Sequence, residues 1–138
     1  MDGCAELEEL EMGLGYAIVD EAPQVRVVGA GAVSMSGMIA IFQEVAEDPC
    51  FHSHFTATFD LRKAKYRAEL ADGDILSAVL NQKRTDFQNR LAVVVPESLQ
   101  LLARLYCALT SLGGFDKIQC FTSMEKAQEW CRETAAPN

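Results

Sequence analysis

Apolar positions along the chain change period several times, and each change marks a new element. Tyr16-Ala-Ile-Val-Asp20 and Val25-Arg-Val-Val28 are short apolar or alternating runs on either side of a Glu21-Ala-Pro-Gln24 turn, which predicts a hairpin. A glycine-rich break at Gly29 and Gly31 follows. Ser34 or Ser36 then suits the N-cap of a helix whose Met38, Ile41, Phe42 and Val45 recur at three- and four-residue spacing. Asp48-Pro49 stops that helix near Glu47. Phe55-Thr-Ala-Thr-Phe59 is β-branched and aromatic, so a strand is expected to end at Asp60 and open into a polar, basic connection.

Asp72 is expected to cap a second helix carrying Ile75, Leu76, Val79 and Leu80. Leu91-Ala-Val-Val-Val95 is continuously apolar and closed by Pro96, which suits a strand buried on both faces. Ser98 should cap an amphipathic helix through Leu102, Leu105, Leu109 and Leu112, ending at Gly113-Gly114. Ile118-Gln-Cys-Phe121 forms the last strand. Thr122-Ser-Met-Glu125 then has the capping-box pattern and opens a final helix with Met124, Ala127, Trp130 and Cys131. The order is β-β-α-β-α-β-α-β-α. It predicts an α/β fold: a mixed, mostly parallel sheet of about five strands covered by about four helices, with one antiparallel strand from the opening hairpin.

At 138 residues the chain is one domain's length and long enough to bury a core without metals or disulfides. We divide it into an acidic extension (1–14), a single domain (15–133) and a short tail (134–138). The net charge of −8 is concentrated at the start: residues 1–21 carry seven acids and no base, whereas 13 acids and 12 bases nearly cancel over the rest. An acidic leader on a near-neutral body repels nucleic acid. An acidic start also disfavours a secretory signal, and no apolar run approaches the ~20 residues of a membrane span. The five cysteines (Cys4, Cys50, Cys107, Cys120, Cys131) are odd in number and widely spread. They are expected to be small buried hydrophobes in a reducing cytoplasm.

Candidate chemistry is thin. Val27-Val-Gly-Ala-Gly-Ala-Val-Ser34 imitates a dinucleotide-binding turn between strand and helix, but Asp60 lies 31 residues beyond Gly29 where about 20 are expected. A strand end turning into a helix is the simpler expectation. Cys50-Phe-His-Ser-His54 places two histidines on one face of an extended segment without a third ligand at useful spacing. No cofactor, metal or catalytic motif is complete. The remaining feature is Asp60-Leu-Arg-Lys-Ala-Lys-Tyr-Arg67, four of the twelve bases within six residues, just past a strand's C-terminal end. Open α/β sheets place ligands there. Asp60, Arg62, Lys63, Lys65 and Arg67, with Asp72 and Asp74 beyond them, are therefore the candidate surface for an anion or a partner protein.

The chain resembles the SpoIIAA-like proteins of the STAS and CRAL-TRIO-like superfamily over residues 16 to about 132. The resemblance rests on the hairpin followed by Gly31-Ala-Val-Ser-Met-Ser36, on Glu47-Asp-Pro-Cys-Phe51, and on the strand ending Asp60-Leu-Arg62. It continues through Arg90-Leu-Ala-Val-Val-Val95, Ala103-Arg-Leu-Tyr106 and Cys120-Phe-Thr-Ser-Met-Glu-Lys-Ala-Gln-Glu-Trp130. It implies a STAS-like, non-catalytic regulatory or protein-interaction module with a regulatory partner protein. Separately, a homodimer through an exposed helix or the hairpin edge strand is expected, because such an edge needs cover. Phosphorylated members carry a serine at the start of the helix after the third strand. Here Leu70-Ala-Asp-Gly-Asp74 offers no hydroxyl, so that switch is not expected. Lipid-binding relatives make a carrier or sensor of a small apolar or anionic ligand the alternative. A dinucleotide-linked enzyme using Gly29 and Gly31 is the third.

Overall fold

The computed structural model describes residues 13–19 and 23–133. Most of the acidic extension, the hairpin turn with Asp20, and the C-terminal tail lie outside the described residues. Five strands, β1 (Gly13–Val19), β2 (Gln24–Val33), β3 (Thr56–Tyr66), β4 (Leu91–Val94) and β5 (Ile118–Phe121), form one sheet in the order β1-β2-β3-β4-β5. β1 is antiparallel to β2 and every later pairing is parallel. The helices are α1 (Met35–Glu47), α2 (Asp72–Gln82), α3 (Gln100–Leu112) and α4 (Met124–Arg132). This is the expected order. Among the described residues no helix is long and apolar enough to cross a membrane.

Strand alternation divides the interior into two layers. Val25, Val27, Ala57, Phe59 and Leu91 join Phe42, Val45 and Leu80 in the main core under α1, α2 and α3. Ala92 and Val94 face the other way and pack with Ala127 and Cys131 of α4. Arg90 fastens α4 by donating to the Trp130 carbonyl (2.8 Å), pairing with Glu133 (3.0 Å) and lying 4.8 Å over the Trp130 ring. Tyr16 on β1 donates to Asp48 (2.7 Å), whose other oxygen accepts from the Cys50 N–H, so the residue that ends α1 also holds the edge strand.

Two segments differ from expectation. β2 does not break at its glycines: it runs to Val33 with Gly29 opposite Leu14 and Gly31 opposite Ala64, so these glycines form no phosphate-binding turn. Likewise β3 continues through the stretch expected to be a loop. The reason is a bulge. Asp60 pairs with Val28 but Lys63 pairs with Ala30, which leaves Leu61 and Arg62 against Gly29 alone. A Cβ on Gly29 would stand 2.9 Å from the Leu61 Cδ2, so the missing side chain makes room for the extra residue. Asp60 latches the bulge, accepting from the Arg62 N–H (3.2 Å) and from its guanidinium (2.9 and 2.8 Å).

Capping also moves. Ser34 caps α1, accepting from the Gly37 N–H (3.1 Å), and Ser123, one residue past Thr122, caps α4. Ser98 makes no cap because Glu97–Leu99 forms a 3₁₀ turn ahead of α3. Asp72 does not cap α2 either. It is the first helical residue, and its carboxylate turns back to the loop before it. Cys50 is disulfide-bonded, contrary to the expectation of five reduced thiols, whereas Cys107 and Cys120 are free.

Gly31 sits in the strand at φ 69°, a left-handed conformation that only glycine adopts cheaply. Gly31→Ala is expected to lower stability by about 1–2 kcal/mol, read as a shift in the urea midpoint at unchanged slope. An unchanged midpoint would show that the strand relaxes around the new methyl group.

Candidate functional site

The C-terminal ends of β2 and β3 finish side by side, Val33 against Tyr66, and the chain leaves them to enter α1 and α2. Between these exits lies an open groove of about 710 Å³. Its walls include Ser34 and Ser36 at the start of α1, Lys65 and Arg67 from the end of β3, and Asp72 and Ile75 from α2. The two serine hydroxyls are 3.2 Å apart. Lys65 and Arg67 are exposed, so the cationic side of the groove faces water.

The bulge explains why only part of the predicted surface meets here. Before it, odd-numbered β3 residues (Ala57, Phe59, Leu61) face the main core. After it, Ala64 is buried and Lys63 and Lys65 are exposed. Of the predicted residues, Lys65, Arg67 and Asp72 line the groove, whereas Asp60, Arg62, Lys63 and Asp74 do not. Asp60 and Arg62 are committed to each other. Burial alone would raise Asp60, but the Arg62 hydrogen bonds and the charges of Arg62 and Lys63 outweigh it and hold the carboxyl below its usual range. In turn that bond raises Arg62.

Beneath the groove is a second space that the sequence did not reveal. A cavity of about 80 Å³ lies between the sheet and α1, α2 and α3. Phe42, Phe59, Leu80 and Leu91 contribute to its floor and sides, and Ala103 and Tyr106 of α3 to its roof. Val33 and Met35 belong to both spaces, so one layer of side chains separates the apolar cavity from the polar groove.

A hydroxyl–carboxylate cluster stands at that boundary. Tyr66 donates to Asp72 through a short hydrogen bond, Asp72 also accepts from the Glu69 N–H (3.0 Å), and the Tyr106 hydroxyl lies 3.5 Å from that of Tyr66. This joins β3, the loop before α2, and α3. Asp72 is only 5% exposed, with its carboxylate held by these partners at the groove wall. The Tyr66 phenol is raised well above its ordinary range, first by burial and then by its bonds to Asp72 and Tyr106. Tyr66 and Tyr106 were missed as functional candidates; an aromatic ring amid four bases was the available signal.

His52 and His54 stack with ring centres 5.9 Å apart and pack edge-on against Phe55. Among the described residues no group of three His, Cys, Asp or Glu side chains could hold a metal. The Cys107 thiol, facing Cys120 from α3, is pushed up to about 12, chiefly by burial.

No protein-family model matches the chain, and none of the curated proteins does. Among solved structures it is similar to an uncharacterized protein of the DUF3478 family with a SpoIIAA-like fold, from Shewanella loihica PV-4. The TM-score is 0.58 at 14% identity, covering 91% of this chain and 99% of that one. The fold is therefore SpoIIAA-like.

Tyr66→Phe is expected to cost about 1–3 kcal/mol at neutral pH, because Asp72 stays buried with one partner fewer. A raised phenol keeps its proton in the folded state where the unfolded chain has lost it. Wild-type stability therefore falls as pH climbs past the ordinary phenol value of about 10. Denaturant titrations at rising pH should show a shallower alkaline decline in Tyr66→Phe. Parallel wild-type and variant curves would dissociate the phenol from this cluster.

Proposed function

We propose that this SpoIIAA-like chain is a non-catalytic binding module that carries or senses a small apolar ligand, held between the sheet and α3. The carrying observation is the cavity itself. Close-packed interiors hold few voids larger than a water molecule, and an apolar void of this size leaves its lining without partner atoms. Its 80 Å³ accommodates only a few heavy atoms as it stands. Helix α3 forms the roof and Thr110 is its sole fully buried residue, so an outward shift of that helix would enlarge the space. The adjoining groove, with Lys65 and Arg67 beyond the Val33–Met35 partition, suits a ligand whose apolar body ends in an anionic group.

A series of straight-chain aliphatic acids and alcohols, scored by thermal shift and native mass spectrometry, tests this reading. At least one short member is expected to raise Tm, with the acid ahead of the alcohol. Ala103→Leu places atoms in the cavity; it is expected to stabilise the free protein by about 1–2 kcal/mol and to abolish the ligand-induced shift. Absence of any shift across the series in the wild type would defeat the proposal.

A regulatory partner protein remains as the second reading, favoured by the exposed cations Lys63, Lys65 and Arg67. Arg62, neutralised by Asp60, contributes less than its charge suggests. Reversing Lys63, Lys65 and Arg67 to Glu is expected to remove partners recovered from the native host; partners retained unchanged would rule this surface out.

A further inference from the structure

Helix α3 has two apolar faces, and the packing of the domain uses one. Leu102, Ala103, Tyr106 and Cys107 look into the cavity. On the solvent side Leu101 is 80% exposed, Leu105 54% and Leu112 85%, with Ala108 also exposed. At 100° per residue these four positions fall within a stripe about 60° wide. Arg104 is the sole charged residue in the thirteen of α3. A helix apolar on nearly all sides belongs in an interior. The sequence pattern put Leu105 and Leu112 on one apolar stripe with Leu102 and Leu109; the structure turns Leu105 and Leu112 outward.

We propose that this stripe is the interface of a homodimer, in which α3 packs antiparallel against α3 of a second copy. Three observations select a second copy over another partner. The stripe positions 101, 105, 108 and 112 are spaced by four, three and four residues, so they read the same in both directions. A two-fold axis midway between 105 and 108 therefore brings Leu101 onto the partner copy's Leu112 and Leu105 onto its Ala108. This is the reciprocal pairing that an isologous interface demands. Size also matches, since each central leucine meets an alanine, the large-on-small arrangement that lets two helices approach closely. Charge is the third: a face with one arginine offers a charged partner almost nothing to pair with, whereas its own copy is equally neutral.

The helix is about 20 Å long, and one helix pair is smaller than the ~800 Å² per partner typical of a tight complex. The dimer is accordingly a weak one, in exchange with monomer at micromolar to millimolar concentrations. It leaves the groove open and stacks against the helix that roofs the cavity, so it goes beyond the ligand proposal and stands or falls separately.

Sedimentation equilibrium across that concentration range, with circular dichroism to confirm folding, decides the matter. Wild type is expected to follow a monomer–dimer equilibrium. Leu105→Glu should weaken it at least tenfold while leaving the helix content unchanged, because the position is exposed. Leu105→Ala alone should weaken it less. The exchange Leu105→Ala with Ala108→Leu restores a leucine–alanine pair at each central contact and should recover association. A wild type that stays monomeric at millimolar concentration overturns the proposal, as does a ladder of larger species. So does a dimer indifferent to Leu105→Glu, or an exchange variant no better than Leu105→Ala.

Discussion

The bulge in β3 sets the position of nearly everything else at the functional end of the domain. One extra residue opposite Gly29 reverses the inside–outside alternation of the strand. Without it, Lys63 and Lys65 would be driven toward the helices and Ala64 and Tyr66 toward solvent. With it, the strand extends past the point where its sequence turns basic, keeps its cations outside, and delivers Tyr66 to Asp72. The Asp60–Arg62 pair is exposed and contributes little to stability as a salt bridge. Its importance is geometric: the carboxylate also holds the Arg62 N–H that the bulge removes from the ladder.

From that strand end two unlike environments follow within a few ångströms. On one side is an open groove with exposed cations and the start of α1. On the other is an apolar cavity, and Val33 and Met35 form the partition. The Tyr66–Asp72–Tyr106 cluster ties the sheet, the α2 entry and α3 together at this boundary. Helix α3 has one fully buried residue, a void beneath it and exposed leucines above it. The ligand and dimer proposals both concern that helix, from opposite faces.

Periodicity carried the element order because it reports which side of each segment meets the core. Leu91–Val95, Met38–Val45 and Met124–Cys131 were legible for that reason. The glycines and the basic stretch were misread together, and for one cause: a bulge is a pairing between distant strands, and neither strand alone encodes it. Gly29 looked like a turn residue when it is the space into which Leu61 fits. The acidic cap at Asp72 failed similarly, since the side chain found stronger partners in Tyr66 and the Glu69 N–H than in its own helix. Lys65 and Arg67, expected in a loop, reach the groove from the extended end of β3; Asp60 and Arg62 were drawn away by each other.

Composition and hydrophobic period by themselves determined a mixed α/β domain, its strand and helix order, and a core in which β-branched strands are covered by helices. These depend on local propensity and on the sum of buried apolar area, both of which a sequence carries residue by residue. Tertiary structure alone decided which leucines of α3 are inside, where the cavity opens, and which of the clustered charges remain free. Those are differences between neighbouring surfaces, fixed only when the bulge, the helix tilt and the loop before α2 settle against one another.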